Sequence, residues 1–134
     1  MSDRGREGGA LASAKLAGGA YVQAMAGLAN FDAGKKAPMQ NFFTNPHFNV
    51  FVNFWEPGQE NVKHYHPEAD NVVILLQGKG SFDIGGETRE LEAVSFVHVP
   101  RGMAHHFKNT GGGRMVTVHI YGPALTPGDT VMAP

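Results

Sequence analysis

Alternation of apolar and polar residues with a period of two is the clearest pattern along this chain. Between positions 47 and 55 an apolar row, Phe48, Val50, Val52 and Phe54, alternates with a mixed row, His47, Asn49, Phe51, Asn53 and Trp55. Such alternation indicates a β-strand with two different faces. Further extended segments are predicted at 62–66, 71–77, 94–100, 104–109 and 114–122, on β-branched and apolar content.

Glycine and proline separate these segments into short elements. Gly85-Gly86 predicts a tight hairpin, and Pro100 ends the strand that is predicted to begin at residue 94. Residues 32–38 are predicted to be a loop, and residues 21–30 fit either a short helix or a strand. Strands at this spacing, without helical periodicity between them, indicate an all-β sandwich or barrel. A length of 134 residues fits one such domain, predicted at 19–134, and the Gly- and Ala-rich residues 1–18 are expected to form a flexible arm.

Composition narrows the possible partners. The net charge of -1 and a pI near 6.6 provide no positive field for nucleic acid or an anionic membrane. No run approaches the roughly 18 apolar residues of a membrane span, and the N-terminal stretch lacks the apolar core of a signal peptide. Cysteine is absent, which is compatible with a reducing compartment. We therefore expect a soluble, cytoplasmic protein whose metal ligands, if any, are nitrogen and oxygen.

Two histidines at i and i+2 raise the question of a metal site. Along a strand, His64 and His66 would point the same way, roughly 6.6 Å apart, so that both imidazoles could reach one ion. His105 is the candidate third ligand from a neighbouring strand, with His106 pointing away. The alternative is that one H-x-H is incidental in a chain with seven histidines.

Two segments resemble the paired signature motifs of the cupin superfamily. In the first, Gly58 is followed by QENVK, His64-Tyr65-His66, PEAD, Asn71, VVILLQ and Gly78, with Asn71 where the family has glutamate. In the second, Val94 stands in place of the family's glycine and is followed by SFVHV, Pro100-Arg101-Gly102, MA, His105, HFK and Asn109. The resemblance covers about residues 47–122.

The resemblance implies a double-stranded β-helix, or jelly roll, with a metal site inside the barrel. His64, His66 and His105 would be ligands, and Asn71 would occupy the fourth position. Loss of the acid leaves a divalent ion with one more uncompensated charge, a stronger Lewis acid that is held less tightly. Three arrangements are open: Asn71 binds through its amide oxygen, it withdraws and leaves a three-histidine face, or Glu68 or Asp70 supplies a carboxylate. The three-histidine face is favoured, and a metal-free pocket is the fourth alternative.

Several other residues are candidates for the pocket. Asn49, Phe51, Asn53 and Phe107 are expected to contact a substrate, although the first three could instead face outward or form a dimer seam. His119 and Tyr121 alternate with an apolar row on the last strand and are the candidate catalytic residues, able to move a proton or orient a substrate. Structural packing is the alternative for both.

The sequence thus predicts a mononuclear metal-dependent cupin enzyme acting on a small organic substrate, most simply a dioxygenase with a three-histidine site. Fe(II) is the favoured ion, and Mn, Ni, Cu and Zn also accept imidazole. The alternatives are a metal-assisted isomerase or lyase of a small carbonyl compound and a non-catalytic binding protein. A homodimer formed by strand exchange or sheet packing is expected, because exposed sheet edges favour pairing.

Overall fold

The computed structural model describes residues 22–34 and 36–134, in which ten strands form two antiparallel sheets. Their bounds are α1 (Met25–Leu28), β1 (Met39–Thr44), β2 (Asn49–Trp55), β3 (His64–Tyr65), β4 (Asp70–Gln77), β5 (Lys79–Ile84), β6 (Glu87–Glu92), β7 (Ser95–Val99), β8 (His105–Lys108), β9 (Met115–Gly122) and β10 (Val131–Met132). The expected arm at residues 1–18 lies outside the described residues. No helix in 22–34 or 36–134 is long and apolar enough to cross a membrane.

The two sheets face each other as a double-stranded β-helix. Sheet A has the order β1-β2-β9-β4-β7 and sheet B the order β10-β3-β8-β5-β6. Strands far apart in sequence are neighbours in both sheets: β2 pairs with β9 over seven residue pairs, from Asn49↔Tyr121 to Trp55↔Met115. The all-β jelly roll expected from the sequence is therefore confirmed.

The mixed row of β2 points into the barrel, and its apolar row points outward. Phe51 and Trp55 are 1% exposed and lie on the inner side, opposite sheet B. Helix α1 covers one end of the outward row: Leu28 packs with Val52, Phe54 and Val116, whereas Phe48 at the other end is 40% exposed. Residues 21–30, which fitted helix or strand, thus contain a helical turn at Met25–Leu28 that covers part of the outer face of sheet A.

The interior contains a large hydrophobic core at one end of the barrel. It is built from Trp55, Val73, Leu75, Phe82, Val97, Val99, Phe107 and Met115. The inner row of β9 begins in this core at Met115 and continues through Thr117, His119 and Tyr121, all of them buried. The polar end of that row lies in the other half of the barrel, where the histidines gather.

Glycine permits the hairpin predicted from the sequence. Gly85 and Gly86 join β5 to β6 with φ values of 61° and 93°, a left-handed conformation that residues with a Cβ avoid. Asp83 supports the turn by accepting the Gly86 N–H at 3.0 Å. The short strands β1 and β10 were not predicted, because neither contains enough regular alternation to stand out from a loop.

Candidate metal centre

Three histidines from two adjacent strands of sheet B converge on one point. His64 of β3 lies directly across from His105 of β8, and His66 follows two residues after His64. Ring nitrogens of the three side chains lie within 4.8 Å of one another. Nitrogens bound to one ion at about 2.0–2.1 Å lie roughly 3 Å apart, so small ring rotations bring all three onto a common ion.

Backbone carbonyls fix the orientation of each ring. Nδ1 of His66 donates to the Asp129 carbonyl at 2.8 Å, Nδ1 of His105 donates to the Met103 carbonyl at 3.2 Å, and Nδ1 of His64 donates to the carbonyl of Val62. A carbonyl can only accept, so each Nδ1 carries the ring hydrogen and each Nε2 keeps its lone pair. This is the arrangement in which histidine binds metals through Nε2.

One of these lone pairs has no partner in the protein. His66 is 3% exposed, and its Nε2 is buried without a hydrogen bond from any described residue. A buried acceptor with no donor costs free energy. The donor set and this orphaned nitrogen together fit a divalent transition metal ion, so the cluster can hold a metal.

Burial keeps the three imidazoles neutral. Desolvation lowers the pKa of His64 and of His66. Desolvation, together with the neighbouring His64, lowers the pKa of His105 to about 3. At neutral pH all three lone pairs are therefore available, and no proton has to leave before an ion binds.

The motif loops are tied to each other near the site. The N–H of Gly102, which has a φ of 80°, donates to the His66 carbonyl at 2.8 Å. This bond joins the turn before His105 to the strand end after His64. Arg101 does not face the site: its guanidinium pairs with the Asp70 carboxylate at 3.0 Å, near the surface.

A cavity of about 300 Å³ opens in front of the histidines. Its walls are largely apolar and include the buried side chains of Trp55, Phe107, Tyr121 and Leu125. Lys36 and Glu60 are charged residues in the lining. A volume of this size is at the lower end for small-molecule sites. Glu60 contacts His106 at 2.7 Å. The three clustered histidines thus face a mainly hydrophobic space.

The candidate pocket residues fall into two groups. Asn53 and Phe107 line the cavity, whereas Asn49 and Phe51 do not. Asn49 is instead a structural residue, because its amide exchanges two 3.0 Å hydrogen bonds with the backbone of Leu125. Phe51 packs with Tyr121, Ala69 and Leu125 in a separate core cluster. The sequence left the direction of this row open, and it could not show that Asn49 and Phe51 lie behind the cavity wall while Asn53 lines it.

Asn71 is buried but is not part of the cavity lining. It is 1% exposed, and neither its Oδ1 nor its Nδ2 has a hydrogen-bond partner in the described part of the chain. Asn71 lies on β4, directly across from Tyr121 of β9. The carboxylates offered as replacements are elsewhere: Asp70 binds Arg101, and Glu68 is exposed.

His119 and Tyr121 both line the cavity from β9. Burial lowers the pKa of His119 to about 3 and raises the pKa of Tyr121, so both side chains stay neutral at ordinary pH. Their rings are nearly parallel, with centroids 6.3 Å apart. His47 and His98 are exposed, as expected of ordinary surface histidines.

The residues that support the clustered histidines could not be identified from the sequence. Asp129 and Thr130 in the segment before β10 both approach Nδ1 of His66, and the Asp129 carboxylate also accepts the Glu68 N–H at 2.8 Å. A carbonyl is carried by every residue, so only the fold could show which of them orients a ring. A further contact, between Thr117 and His119, was readable as two polar residues on one strand face.

Comparison with known proteins assigns the family. The Cupin domain family matches residues 52–121, about half of the chain. The chain belongs to the cupin family. The match includes all three clustered histidines and β9, the strand that carries His119 and Tyr121.

Curated relatives of this cupin come from Streptomyces. It is 36% identical over 55 residues to "Polyketide synthase CurC" of Streptomyces cyaneus, which is 41% of this chain and 36% of that protein. It is 34% identical over 55 residues to "Tetracenomycin polyketide synthase protein TcmJ" of Streptomyces glaucescens, 41% of this chain and 37% of that protein. The match therefore spans little more than a third of either relative.

A solved structure shows the same fold. A Klebsiella pneumoniae protein described as having a double-stranded β-helix domain superposes with a TM-score of 0.76 at 19% identity, covering 85% of this cupin and 97% of that chain. At this identity the likeness concerns the fold.

Proposed function

We propose that this cupin is a mononuclear metal-dependent enzyme acting on a small organic substrate. The observation that carries the proposal is the set of three neutral imidazoles, each turned by a backbone carbonyl so that Nε2 is free, at the wall of one cavity. A cluster with a purely structural role would satisfy its buried nitrogens internally. Here Nε2 of His66 has no partner among residues 22–34 and 36–134.

Within this class we propose a dioxygenase that uses a three-histidine face with Fe(II). A bound divalent ion of this kind would supply Lewis-acid activation of a chelating substrate and, as Fe(II), activation of dioxygen. The protein's part is to hold the ring nitrogens, to keep them unprotonated and to surround the site with apolar walls. Asn71 is assigned no ligand role in this arrangement, because it does not line the cavity.

The substrate is proposed to be a chelating anion such as a β-diketone or a hydroxylated aromatic. Three imidazoles contribute no negative charge, so the substrate has to compensate the ion. Lys36 is a cation in the cavity lining, and the apolar walls suit a planar carbon skeleton. The relatives named as polyketide synthase proteins support this class, since polyketides carry alternating ketones and phenols.

His119 and Tyr121 are proposed to contact the bound substrate. Both are neutral, both line the cavity, and both come from the strand opposite the ligands. The phenol of Tyr121 keeps its proton because burial raises its pKa, so it can donate a hydrogen bond to a substrate oxygen.

Metal analysis with two adjacent histidines tests the proposal. We expect the purified chain to bind about one Fe(II), and His105→Ala to lose metal binding and oxygen uptake with β-diketones, thiols or hydroxylated aromatics. His106→Ala is the matched control, because that ring points away and contacts Glu60. Equal metal content in the two variants, or no oxygen uptake by the loaded wild type across the substrate panel, would contradict the proposal.

A metal-assisted isomerase or lyase is the second candidate. The same ion could polarise a carbonyl while His119 or Tyr121 moves a proton. Oxygen dependence separates the two: turnover that is unchanged without oxygen selects the second candidate. Equilibrium binding without any product would instead indicate a non-catalytic cupin.

A homodimer is proposed to form through the outer face of sheet A near β4 and β7. Phe96 is 73% exposed and lies across from Ile74, while Val72 and Leu76, each 39% exposed, continue the apolar row. Between Val72 and Leu76 the row contains no charged residue, and Asp70 and His98 border it at one end. Light scattering should give twice the chain mass for wild type and for the control Val62→Ser, and one chain mass for Phe96→Ser; a monomeric wild type would refute it.

A further inference from the structure

A chain of three buried side chains runs from the core of the barrel to the metal centre. Nε1 of Trp55 donates to Oγ1 of Thr117 at 2.9 Å, and Oγ1 of Thr117 lies 2.7 Å from Nε2 of His119. Trp55 is 1% exposed, Thr117 0% and His119 4%. Because all three side chains are buried, the hydrogen bonds among them determine the orientation of the hydroxyl and the tautomer of the imidazole.

Counting donors and acceptors selects one arrangement. Indole nitrogen is a donor only, so the Thr117 oxygen already accepts one hydrogen from Trp55. If the hydroxyl donates to Nε2 of His119, every group of Trp55 and Thr117 is satisfied. If Nε2 donated instead, the hydroxyl hydrogen would have no acceptor and the Nδ1 lone pair no donor among the described residues, so two buried groups would be unsatisfied rather than one.

The first arrangement leaves the ring hydrogen of His119 on Nδ1. That nitrogen is buried and has no hydrogen-bond partner in the described part of the chain, although the residue lines the cavity. The imidazole is neutral, since burial lowers the pKa of His119 to about 3. The ring thus carries one N–H group, and no described residue accepts a hydrogen bond from it.

We propose that His119 is not a fourth metal ligand but an N–H donor that binds an anionic oxygen of the substrate, with Thr117 as the positioning residue that fixes its tautomer. His119 is absent from the group of histidines whose ring nitrogens lie within 4.8 Å of one another. His119 lines the cavity from the sheet opposite the three clustered histidines, so its unpartnered N–H would complement a chelating oxyanion whose other side faces those histidines. The ligand class, but not the tautomer, rests on the function proposed above.

The tautomer is tested by nitrogen NMR on the full chain without added metal. Two-bond nitrogen–proton correlations distinguish Nδ1–H from Nε2–H, and His119→Gln assigns the signal. We expect Nδ1–H in wild type and in Thr117→Ser, which keeps the hydroxyl, and a shift toward Nε2–H in Thr117→Val, which removes it. An Nε2–H signal in wild type overturns the inference, and that spectrum decides alone if Thr117→Val does not fold.

The donor role is tested with acetylacetone as a chelating oxyanion probe on the zinc-loaded chain. Wild type and Thr117→Ser should bind alike, while His119→Phe, which keeps the ring volume, should bind on the order of 10-fold more weakly. Equal affinity of His119→Phe and wild type would overturn the donor role. Neither measurement needs turnover, so a chain without oxygenase activity could still show the Nδ1–H tautomer, and the two proposals can fail separately.

Discussion

At the scale of single residues, the substitution of an acid by Asn71 has the widest chemical consequence. In the proposed site it would leave three neutral imidazoles as the ligand set and remove the charge that would otherwise compensate an ion. The identity of this residue was readable from the sequence, as were all three histidines. What letters could not show is that the amide lies outside the cavity lining with both polar atoms unpartnered.

Replacing Asn71 by glutamate should raise the affinity for the metal ion and lower the turnover rate. For Asn71→Glu we expect metal binding tighter by about tenfold or more, because a carboxylate adds a charge-assisted contact that the amide lacks. The more compensated ion should be a poorer Lewis acid, so turnover should fall. Isothermal titration with Zn²⁺ and oxygen uptake with Fe(II) measure the two effects.

Asn71→Gln is the matched control, since it lengthens the side chain equally without adding charge. It should leave the affinity close to that of wild type. If Asn71→Glu and Asn71→Gln bind Zn²⁺ equally well, the carboxylate does not reach the ion and the position has no coordinating role in this chain.

At the scale of elements, the turn between β7 and β8 connects the two ligand-bearing segments. Gly102 both adopts a φ of 80° and donates its N–H to His66. The Pro-x-Gly sequence indicated a tight approach before His105. The partner of that turn could not be inferred, because a backbone bond between positions 66 and 102 has no sequence signature.

Replacing this glycine should weaken the site without crowding it. A Cβ at Gly102 meets no atom within 4 Å, so Gly102→Ala costs only the conformational strain, about 1–2 kcal/mol. We expect a lower free energy of unfolding in urea and weaker Zn²⁺ binding. Gly112→Ala, equally uncrowded but without a positive φ, should change neither property; equal effects of the two substitutions would show that the turn conformation does not matter.

At the scale of the whole molecule, the jelly roll was predictable because its determinants are local or carried by motifs. Alternation in 47–55, the Gly85-Gly86 hairpin and the paired motifs led to the correct architecture. The sequence did not predict β1, the two-residue β10 or the orienting carbonyl of Asp129. Asn49 and Phe51 face inward as a pocket row should, yet Leu125 and its neighbours separate them from the cavity.

The buried histidines also make the stability of the whole metal-free chain depend on pH. His119 has a pKa of about 3 when folded and 6.5 as the reference value, so the unfolded chain takes up a proton first as the pH falls. Its contribution is therefore complete above pH 6.5 and is lost progressively toward pH 3, with a slope of up to about 1.4 kcal/mol per pH unit. Urea unfolding between pH 7 and pH 4 measures it, and His119→Phe should flatten the slope. Parallel curves for the two proteins would disprove this origin.

The contact between Asp129 and His66 gives the C-terminal segment an influence beyond its size. Residues 129–132 supply no ligand atom, yet they hold one imidazole at Nδ1 and then pair with the strand that bears another. Metal binding should in turn stabilise the position of residues 129–132, so that the order of this segment depends on whether an ion is bound. Deleting residues 129–132 should therefore weaken Zn²⁺ binding in a calorimetric titration even though His64, His66 and His105 are all retained.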